Sequence, residues 1–247
     1  MKNCFIRCGL VREMKNDVVY FVKNTEENEE LVYSLRSVEK NFPYNRVWFF
    51  GGCPNGLRPD VHVPVEQNTG SKYQNVRGMI REAVANDDLT EDFYLFNDDF
   101  FVMSKVGYVV PAVNGSLGWQ IQKLNNKYPK NYKTAYRSRL KNTMQALKSM
   151  NKDRLNYELH IPMLINKEKA KRILDMFDNT VAFRSSYGNY YSIAKSIHPD
   201  VKILDDDKMY DPDLHNVFLS TSDYTWNYGR IGDYIKSKFP EPSRFEI

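Results

Sequence analysis

Short apolar runs, rich in β-branched and aromatic residues, alternate along the chain with stretches in which apolar residues recur every three or four positions. The runs that predict buried strands are residues 15–22, 46–50, 61–65, 92–97 and 201–204. The stretches that predict helices are residues 31–42, 71–85, 132–150, 167–177 and 231–239. Strands that alternate with helices are typical of an α/β fold, in which helices cover both faces of a mostly parallel sheet.

The length of 247 residues predicts one domain that carries an insertion. Hydrophobic residues make up 42% of the chain and charged residues 27%, which excludes wholesale disorder. No apolar run is long enough to span a bilayer, and residues 1–10 lack the apolar core of a signal peptide, so we expect a cytoplasmic protein. Cys4, Cys8 and Cys53 lack the spacing of zinc ligands, and we interpret them as reduced packing residues.

The net charge of +4 is unevenly distributed along the chain. Residues 121–154 contain ten Lys and Arg side chains and one acid, Asp153, so the rest of the chain has a net charge of −5. A basic segment on an acidic body indicates a polyanionic partner. We predict a single domain, residues 1–247, in which residues 111–156 form a basic helical insertion.

Asn97, Asp98 and Asp99 directly follow one of the predicted buried strands. Ligands of α/β sheets bind at the carboxyl ends of strands, and two adjacent carboxylates there repel each other unless a cation or solvent compensates them. A divalent metal would do so and keep coordination positions for a diphosphate. The alternative is an Asp pair that ends the strand and begins a turn. The pair Asp87-Asp88 and residues 205–207 lie in polar surroundings, and we interpret them as solvated turns.

Two further segments have residues suited to catalysis or phosphate binding. His160 lies between apolar residues and is a candidate general base, with a hydrogen-bonded structural histidine as the alternative. Arg184 begins a polar stretch and suits bidentate phosphate contact, although the stretch also fits a polar loop and helix start. The helix that begins near Lys72 has an amino terminus suited to an anion, but the spacing of a Walker motif is absent.

Tyrosines and cations of the basic segment recur every four positions. On a helix they would form two neighbouring rows that could bind an anionic polymer or single-stranded nucleic acid, or they would form a solvated surface. The tyrosines are Tyr128, Tyr132 and Tyr136, and the cations are Lys133, Arg137 and Lys141.

Several segments in series resemble the conserved regions of the Stealth family, which includes capsular polysaccharide phosphotransferases and the animal enzyme that transfers N-acetylglucosamine-1-phosphate to lysosomal mannose. The segments are DVVYFV, LVYSLRSVEKNF, DFYLFNDDFFV, HIPMLINKEKAKRIL followed by FRSSYGNYY, and FPEPSRFE. The short length and the element NTGSKYQN are also similar to small glycosyltransferase-like proteins of bacteriophages.

The resemblance implies a GT-A-like nucleotide-sugar-binding fold in which Mg or Mn binds with the donor diphosphate. It implies that Asp98 and Asp99 hold the metal. It also implies that His160 is the catalytic base and that Asp99 and Arg184 lie with it at the reaction centre. Donor contacts are expected from Asn68, Lys72, Asn75, Arg77, Asn97, Asn189 and Glu246. The chain departs from the family at Tyr20–Asn24, where the family has a Trp followed by an acid, and this leaves a glycoside or a phosphodiester as the product.

These observations together predict a metal-dependent transferase. It would move a sugar or sugar-1-phosphate from a nucleotide-sugar donor to an acceptor hydroxyl, and the acceptor would be an anionic glycan or nucleic acid held by Tyr132, Lys133, Tyr136, Arg137 and Lys141. The alternative is a non-catalytic polyanion-binding protein on a degenerate transferase fold.

Overall fold

The computed structural model of the chain describes residues 16–68, 70–204 and 217–247. Cys4, Cys8 and residues 205–207 lie outside the described residues. The chain divides into two units: unit 1 comprises the described residues of Met1–Val109, His160–Lys167 and Val201–Ile247, and unit 2 comprises Val110–Leu159 and Glu168–Asp200. The prediction of a single domain with an insertion at 111–156 stays a prediction. In the described part of the chain, every helix is too short or too polar to cross a membrane.

Ten strands and eight helices make up the described elements. Along the chain they begin with the elements β1 (Asp17–Val22), α1 (Glu29–Asn41), β2 (Val47–Gly51), β3 (Val61–Val63), α2 (Lys72–Ala85), β4 (Asp92–Phe96) and β5 (Phe100–Val102). They continue with β6 (Ala112–Val113), α3 (Leu117–Lys127), α4 (Thr134–Ser149), β7 (Met163–Asn166), α5 (Lys167–Met176) and α6 (Phe183–Tyr190). The last are β8 (Ser196–Ile197), β9 (Lys202–Ile203), β10 (Phe218–Thr221), α7 (Asp223–Tyr228) and α8 (Arg230–Lys238).

The central sheet of unit 1 has five strands in the order β3-β2-β1-β4-β7. The first four run parallel, and β7 pairs antiparallel with β4 at the edge. The predicted α/β class, a mostly parallel sheet flanked by helices, is therefore confirmed. The strand order reverses between β1 and β4, and in open α/β sheets such a reversal opens a crevice at the carboxyl ends of the two strands.

Apolar burial on both faces explains why the runs of the sequence become these strands. All five residues of β2 are buried, as are five of the six residues of β1. Helix α1 packs its Leu31, Leu35 and Val38 face inward, and the hydroxyl of Tyr20 in β1 is 2.8 Å from the Ser34 hydroxyl of that helix.

A second sheet of unit 1, in the order β5-β10-β9, was not predicted from the sequence. β9 lies within the predicted strand at residues 201–204, whereas β5 and β10 have three and four residues, too few for a periodic pattern to be recognised. β10 pairs antiparallel with β5 and parallel with β9. Behind it, the rings of Phe101 and Trp226 stack with centroids 5.5 Å apart. This sheet brings residues near position 202 and near position 220 to the segment that follows β4.

Unit 2 contains the basic segment, with α3 and α4 joined by residues 128–133. The condition for one helical row of tyrosines is not met, because α3 ends at Lys127 and α4 begins at Thr134, so Tyr128 and Tyr132 lie in the connection. Pro129 disfavours helical backbone at the residue before it, and Lys133 has a left-handed φ of 52°. Helices α3 and α4 are separate elements for this reason.

Candidate active site

The predicted acidic motif forms the turn between β4 and β5. The Phe100 amide donates a hydrogen bond to the Asn97 carbonyl at 3.2 Å, which closes a four-residue turn with Asp98 and Asp99 in its two central positions. Asn97 is exposed, whereas both Asp side chains are half-buried. The turn lies at the carboxyl end of β4, beside β1, and so at the reversal of strand order. The pair Asp87-Asp88, by contrast, is exposed in a turn, as predicted.

The beginning of helix α1 supports Asp98. Asn28 caps the helix, because its Oδ1 accepts a hydrogen bond from the Leu31 amide at 3.0 Å. Its Nδ2 donates to Asp98 Oδ2 at 2.8 Å. Burial and then the charge of Asp99 raise the pKa of Asp98, while the hydrogen bond from Asn28 lowers it. A neutral amide therefore orients Asp98 without neutralising its charge.

Glu30, in the first turn of α1, is a third carboxylate at this place. Its Oε1 accepts a hydrogen bond from the Thr221 hydroxyl at 2.6 Å. Burial raises the pKa of Glu30 to about 7 against the hydrogen bond from Thr221, and the charges of Asp99 and Asp98 raise it further. We call Glu30, Asp98 and Asp99 the acidic cluster. Clusters with raised carboxylate pKa values are characteristic of functional sites.

Lys202 of β9 supplies positive charge to the acidic cluster. Its Nζ donates to Asp99 Oδ2 at 2.5 Å, and the side chains of Lys202 and Asp99 are only 18% and 14% exposed. The other carboxylate oxygen, Asp99 Oδ1, is buried and has no hydrogen-bond partner among the residues that the structure describes. An unpaired buried carboxylate oxygen is costly, and it is a coordination position that a ligand would satisfy.

His160 lies close to the acidic turn. Its ring meets that of Phe100, the residue after Asp99, with centroids 6.0 Å apart and planes at 77°. His160 is partly exposed and belongs to the segment His160–Lys167 that returns the chain to unit 1. The structure therefore brings the predicted base and the predicted metal ligands together within one unit.

The carboxyl ends of β1 and β2 form the neighbouring part of the crevice. Gln67 Nε2 donates to the Val22 carbonyl at 2.7 Å and to Asn24 Oδ1 at 3.2 Å. Gly51 ends β2 with φ of +108°, and a Cβ there would collide with the Val22 carbonyl and with the Gln67 side chain. A close approach of backbone and amide groups of this kind requires glycine.

The predicted donor contacts at the start of α2 are on the surface of unit 1 or close to it. Asn68 Nδ2 donates to Glu66 at 3.1 Å, and the Lys72 ammonium lies 5.2 Å from the ring centroid of Tyr73. Asn75 and Arg77 are partly exposed on the same helix. Their roles in donor binding, and that of Asn97, stay predictions.

Arg184 and Asn189 belong to unit 2, on α6. Arg184 Nη1 donates to the Leu159 carbonyl at 2.6 Å. The buried Asn189 amide accepts from the Leu155 amide and donates to the carbonyls of Leu155 and Ser185, each at 2.8 Å. These bonds give Asn189 a structural task, and its donor contact stays a prediction.

Glu246 is paired with an arginine near the end of the described chain. Its two carboxylate oxygens accept from Arg36 Nε and Nη2 at 2.9 and 2.6 Å. Arg244 likewise holds both oxygens of Asp60 at 2.7 Å each. We call Arg36, Asp60, Arg244 and Glu246 the C-terminal clasp. A bidentate pair already uses the Glu246 carboxylate, which favours a structural role over the predicted donor contact.

The basic residues of unit 2 differ in availability. Arg137 is buried, and its guanidinium donates to four carbonyls at 2.9 to 3.0 Å, those of Leu124, Tyr128, Pro129 and Lys130. These bonds give Arg137 a structural task at the end of α3, and its predicted contact with an acceptor stays a prediction. Lys141 is exposed, Tyr136 is partly exposed, and Lys133 lies 4.9 and 5.5 Å from the ring centroids of Tyr128 and Tyr132.

Whether a divalent metal fits depends on how many protein ligands it needs. Among residues 16–68, 70–204 and 217–247, no three His, Cys, Asp or Glu side chains form a group arranged to hold a metal. Mg and Mn are often held by one or two carboxylates together with substrate phosphates. Asp98, Asp99 and the unpartnered Asp99 Oδ1 fit this open type of site.

No protein-family model matches the chain, and no curated protein sequence is detectably similar to it. Solved structures of the galactosyltransferase LgtC, one in complex with donor and acceptor sugar analogues and one of an active-site mutant, align with 92% of this chain and 98% of theirs. The sequence identity is 9% and the TM-score 0.48 for both. Likeness at this level does not define a reaction or a substrate.

The sequence did not reveal four residues of the site: Asn28, Glu30, Lys202 and Thr221. Asn28 could have been found as a helix cap, because it directly precedes two acids and an apolar helical pattern. Lys202 and Thr221 gave no signal, since they reach the turn through the short strands of the second sheet.

Proposed function

We propose that the chain is a transferase that moves a sugar or a sugar-1-phosphate from a nucleotide-activated donor to an acceptor hydroxyl. The observation that carries the proposal is the acidic cluster at the reversal of strand order, where Asp98 and Asp99 form a half-buried turn. The predicted GT-A-like fold and the resemblance of the sequence to the Stealth family support the same reaction class.

In this proposal Asp98 and Asp99 hold a Mg or Mn ion. Such an ion, when bound, supplies Lewis-acid stabilisation of the charge on the leaving phosphate. Asn28 keeps Asp98 oriented, and Thr221 keeps Glu30 in place through its hydroxyl. The Gln67 amide and the glycine at position 51 shape the crevice beside β1 into which the nucleotide part of the donor would fit.

His160 is the proposed general base that removes the proton from the acceptor hydroxyl. The observation that supports this role is the contact of its ring with Phe100, the residue that follows Asp99. Arg184 is proposed to contact phosphate, as the family resemblance implies. The variant His160→Ala should retain donor binding and lose transfer, and a fully active variant would exclude the base role.

The released nucleotide distinguishes the two forms of the reaction. Transfer of a sugar leaves a nucleoside diphosphate, whereas transfer of a sugar phosphate leaves a monophosphate. Mass spectrometry of the nucleotide released from a panel of nucleotide sugars would decide between them.

The function is tested by donor binding and turnover in matched variants. A thermal-shift panel of nucleotide sugars with Mn should reveal a donor, because a ligand at ~100 times its dissociation constant adds about 2.7 kcal/mol to the native state. Asp99→Asn should abolish that stabilisation, while Asp87→Asn, at an exposed turn, should retain it. Equal stabilisation in both variants would exclude the acidic cluster as the donor site.

The acceptor is proposed to be anionic and to contact unit 2. This unit contains 15 Lys and Arg against six Asp and Glu, and Trp119 and Tyr132 are 46% and 49% exposed. The Trp119 ring centroid lies 5.1 Å from the Lys123 ammonium, and exposed aromatic rings beside cations suit anionic polymers. The double variant Lys133→Gln/Lys141→Gln should weaken acceptor binding and flatten its salt dependence, with donor hydrolysis unchanged. Unchanged acceptor kinetics would assign these lysines to a solvated surface.

A further inference from the structure

The second sheet brings a cation to the acidic turn from a distant part of the chain. Lys202 is 103 residues from Asp99 in sequence, and it reaches this residue because β9 pairs with β10 and β10 pairs with β5. β5 begins immediately after Asp99, so the pairing places the lysine ammonium on Asp99 Oδ2 at 2.5 Å. Both side chains are more than four-fifths buried, which makes this contact a defined part of the site.

The partners of the other two carboxylates are neutral. Asp98 accepts from the Asn28 amide and Glu30 from the Thr221 hydroxyl. Among the described contacts of the three carboxylates, the one that brings a positive charge is therefore that of Lys202 with Asp99. In a half-buried place, where the effective dielectric is well below that of water, a single ammonium strongly affects how the cluster binds any second cation.

An ammonium and a divalent ion cannot occupy the same carboxylate oxygen at bonding distance. A Mg²⁺ ion lies about 2.0 to 2.1 Å from an oxygen ligand, and a lysine nitrogen at hydrogen-bond distance would then be in contact with the ion, with repulsion between the two charges. Asp99 Oδ1, which accepts no hydrogen bond within the described part of the chain, is the coordination position that remains.

We propose that Lys202 is a tethered cation that occupies Asp99 when no divalent ion is bound and thereby sets the metal affinity of the acidic cluster. This inference rests on the proposed function, because it concerns the metal that Asp98 and Asp99 would hold. Lys202 keeps the carboxylate compensated in the ion-free protein, and its charge opposes a divalent ion that binds at Oδ1 of the same carboxylate. The side chain is then positioned to meet the negative charge that arrives with the donor phosphates.

The test measures binding of Mn²⁺ alone by the electron paramagnetic resonance signal of the free ion, with wild type, Lys202→Met and Lys236→Met. Methionine has a similar length and no charge. Lys236 is the matched control, because its ammonium pairs with Glu29 Oε2 at 2.8 Å, one residue before Glu30, and lies outside the cluster. The Lys202→Met variant should bind Mn²⁺ at least about tenfold more tightly, and the Lys236→Met variant should bind like wild type.

An Mn²⁺ affinity of Lys202→Met that is equal to or weaker than that of wild type would overturn the inference. Thermal unfolding establishes that the variant is folded, and Lys202→Gln, which keeps a hydrogen-bond donor without charge, replaces it if it is not. The variant Asp99→Asn separates this outcome from failure of the proposed function. If Asp99→Asn abolishes Mn²⁺ binding while Lys202→Met leaves it unchanged, only the role of Lys202 is wrong; if Asp99→Asn binds like wild type, the metal site itself is wrong and the inference falls with it.

Discussion

The surroundings shift the pKa values of two groups of carboxylates in unit 1 in opposite directions. In the C-terminal clasp, burial alone would raise the pKa of Glu246, but hydrogen bonds from Arg36 and Ser243 outweigh burial and lower it. Asp60 behaves likewise, since Arg244 and the Val47 amide lower its pKa against burial. In the acidic cluster the balance is reversed, and the pKa values of Glu30 and Asp98 are raised.

The difference separates carboxylates that are paired for structure from carboxylates that, in the proposed function, would bind a cation. Each acid of the clasp has a bidentate guanidinium of its own, whereas in the cluster Lys202 pairs with Asp99 and the other two acids accept from neutral groups. Uncompensated carboxylates in a half-buried crevice lower stability, and they persist where an incoming cation is to be bound.

The largest expected effect separates the two groups by activity. Asp99→Asn should lower turnover of the nucleotide donor by about 100-fold or more, because a charge-stabilising group of the reaction is lost. Its melting temperature should change by no more than about 3 °C, since removal of the ion pair with Lys202 is offset by less repulsion within the cluster. Turnover and thermal unfolding measured on the same preparation check this. A large loss of stability with intact turnover would make Asp99 a clasp-like residue.

The reverse pattern is expected for the clasp. Arg36→Met leaves Glu246 without its bidentate partner and should cost on the order of 2 kcal/mol, or about 5 °C in melting temperature. Dissociation constants for the donor should equal those of wild type, which calorimetry can measure. A specific loss of donor affinity would restore Glu246 as a donor contact, with Arg58→Met as a control for general loss of charge.

The smallest expected effect is a dependence of stability on pH. The pKa of Glu30 is raised from 4.5 to about 7, so the folded state binds more protons than the unfolded state between these two pH values. The stability that protonated Glu30 contributes is fully present below pH 4.5 and is lost as the pH rises through 7. Glu30→Gln should therefore flatten this fall and raise stability at pH 8 by roughly 1 to 2 kcal/mol.

The lowered pKa values of Glu246 and Asp60 have the opposite sign, since their stabilisation is present at neutral pH and is lost as the pH falls through the folded pKa. Denaturant unfolding at pH 5 and pH 8 distinguishes the two contributions. If the stability of Glu30→Gln depended on pH as that of wild type does, the charged form of Glu30 would not lower the stability of the folded state.

The parallel strands of the central sheet and the acidic turn could be predicted, because each strand and the turn depend on a continuous stretch of sequence. The apolar run DFYLF followed by Asn97, Asp98 and Asp99 defines both a strand and the polar turn at its end. The surroundings of this turn could not be predicted in the same way. Lys202 lies in a two-residue strand, and no local pattern indicates that it meets an acid 103 positions earlier.

The basic segment shows the opposite error, a pattern that was present without the structure it suggested. A spacing of four between Tyr128 and Tyr132 indicates one helix face, but Pro129 and the left-handed Lys133 separate α3 from α4. The buried Arg137 then caps the first helix with four hydrogen bonds, which spacing alone could not distinguish from an exposed position on a basic surface.

The C-terminal clasp also imposes an order in time on biosynthesis. Arg36 and Glu246 are 210 residues apart, and at about 5 to 20 residues per second the ribosome needs roughly 10 to 40 s to make the second after the first. During this interval the strands of unit 1 that are made early lack the late segment that contributes the buried Phe245. The nascent chain therefore exposes apolar surface for many seconds, which is the period in which chaperones would engage it.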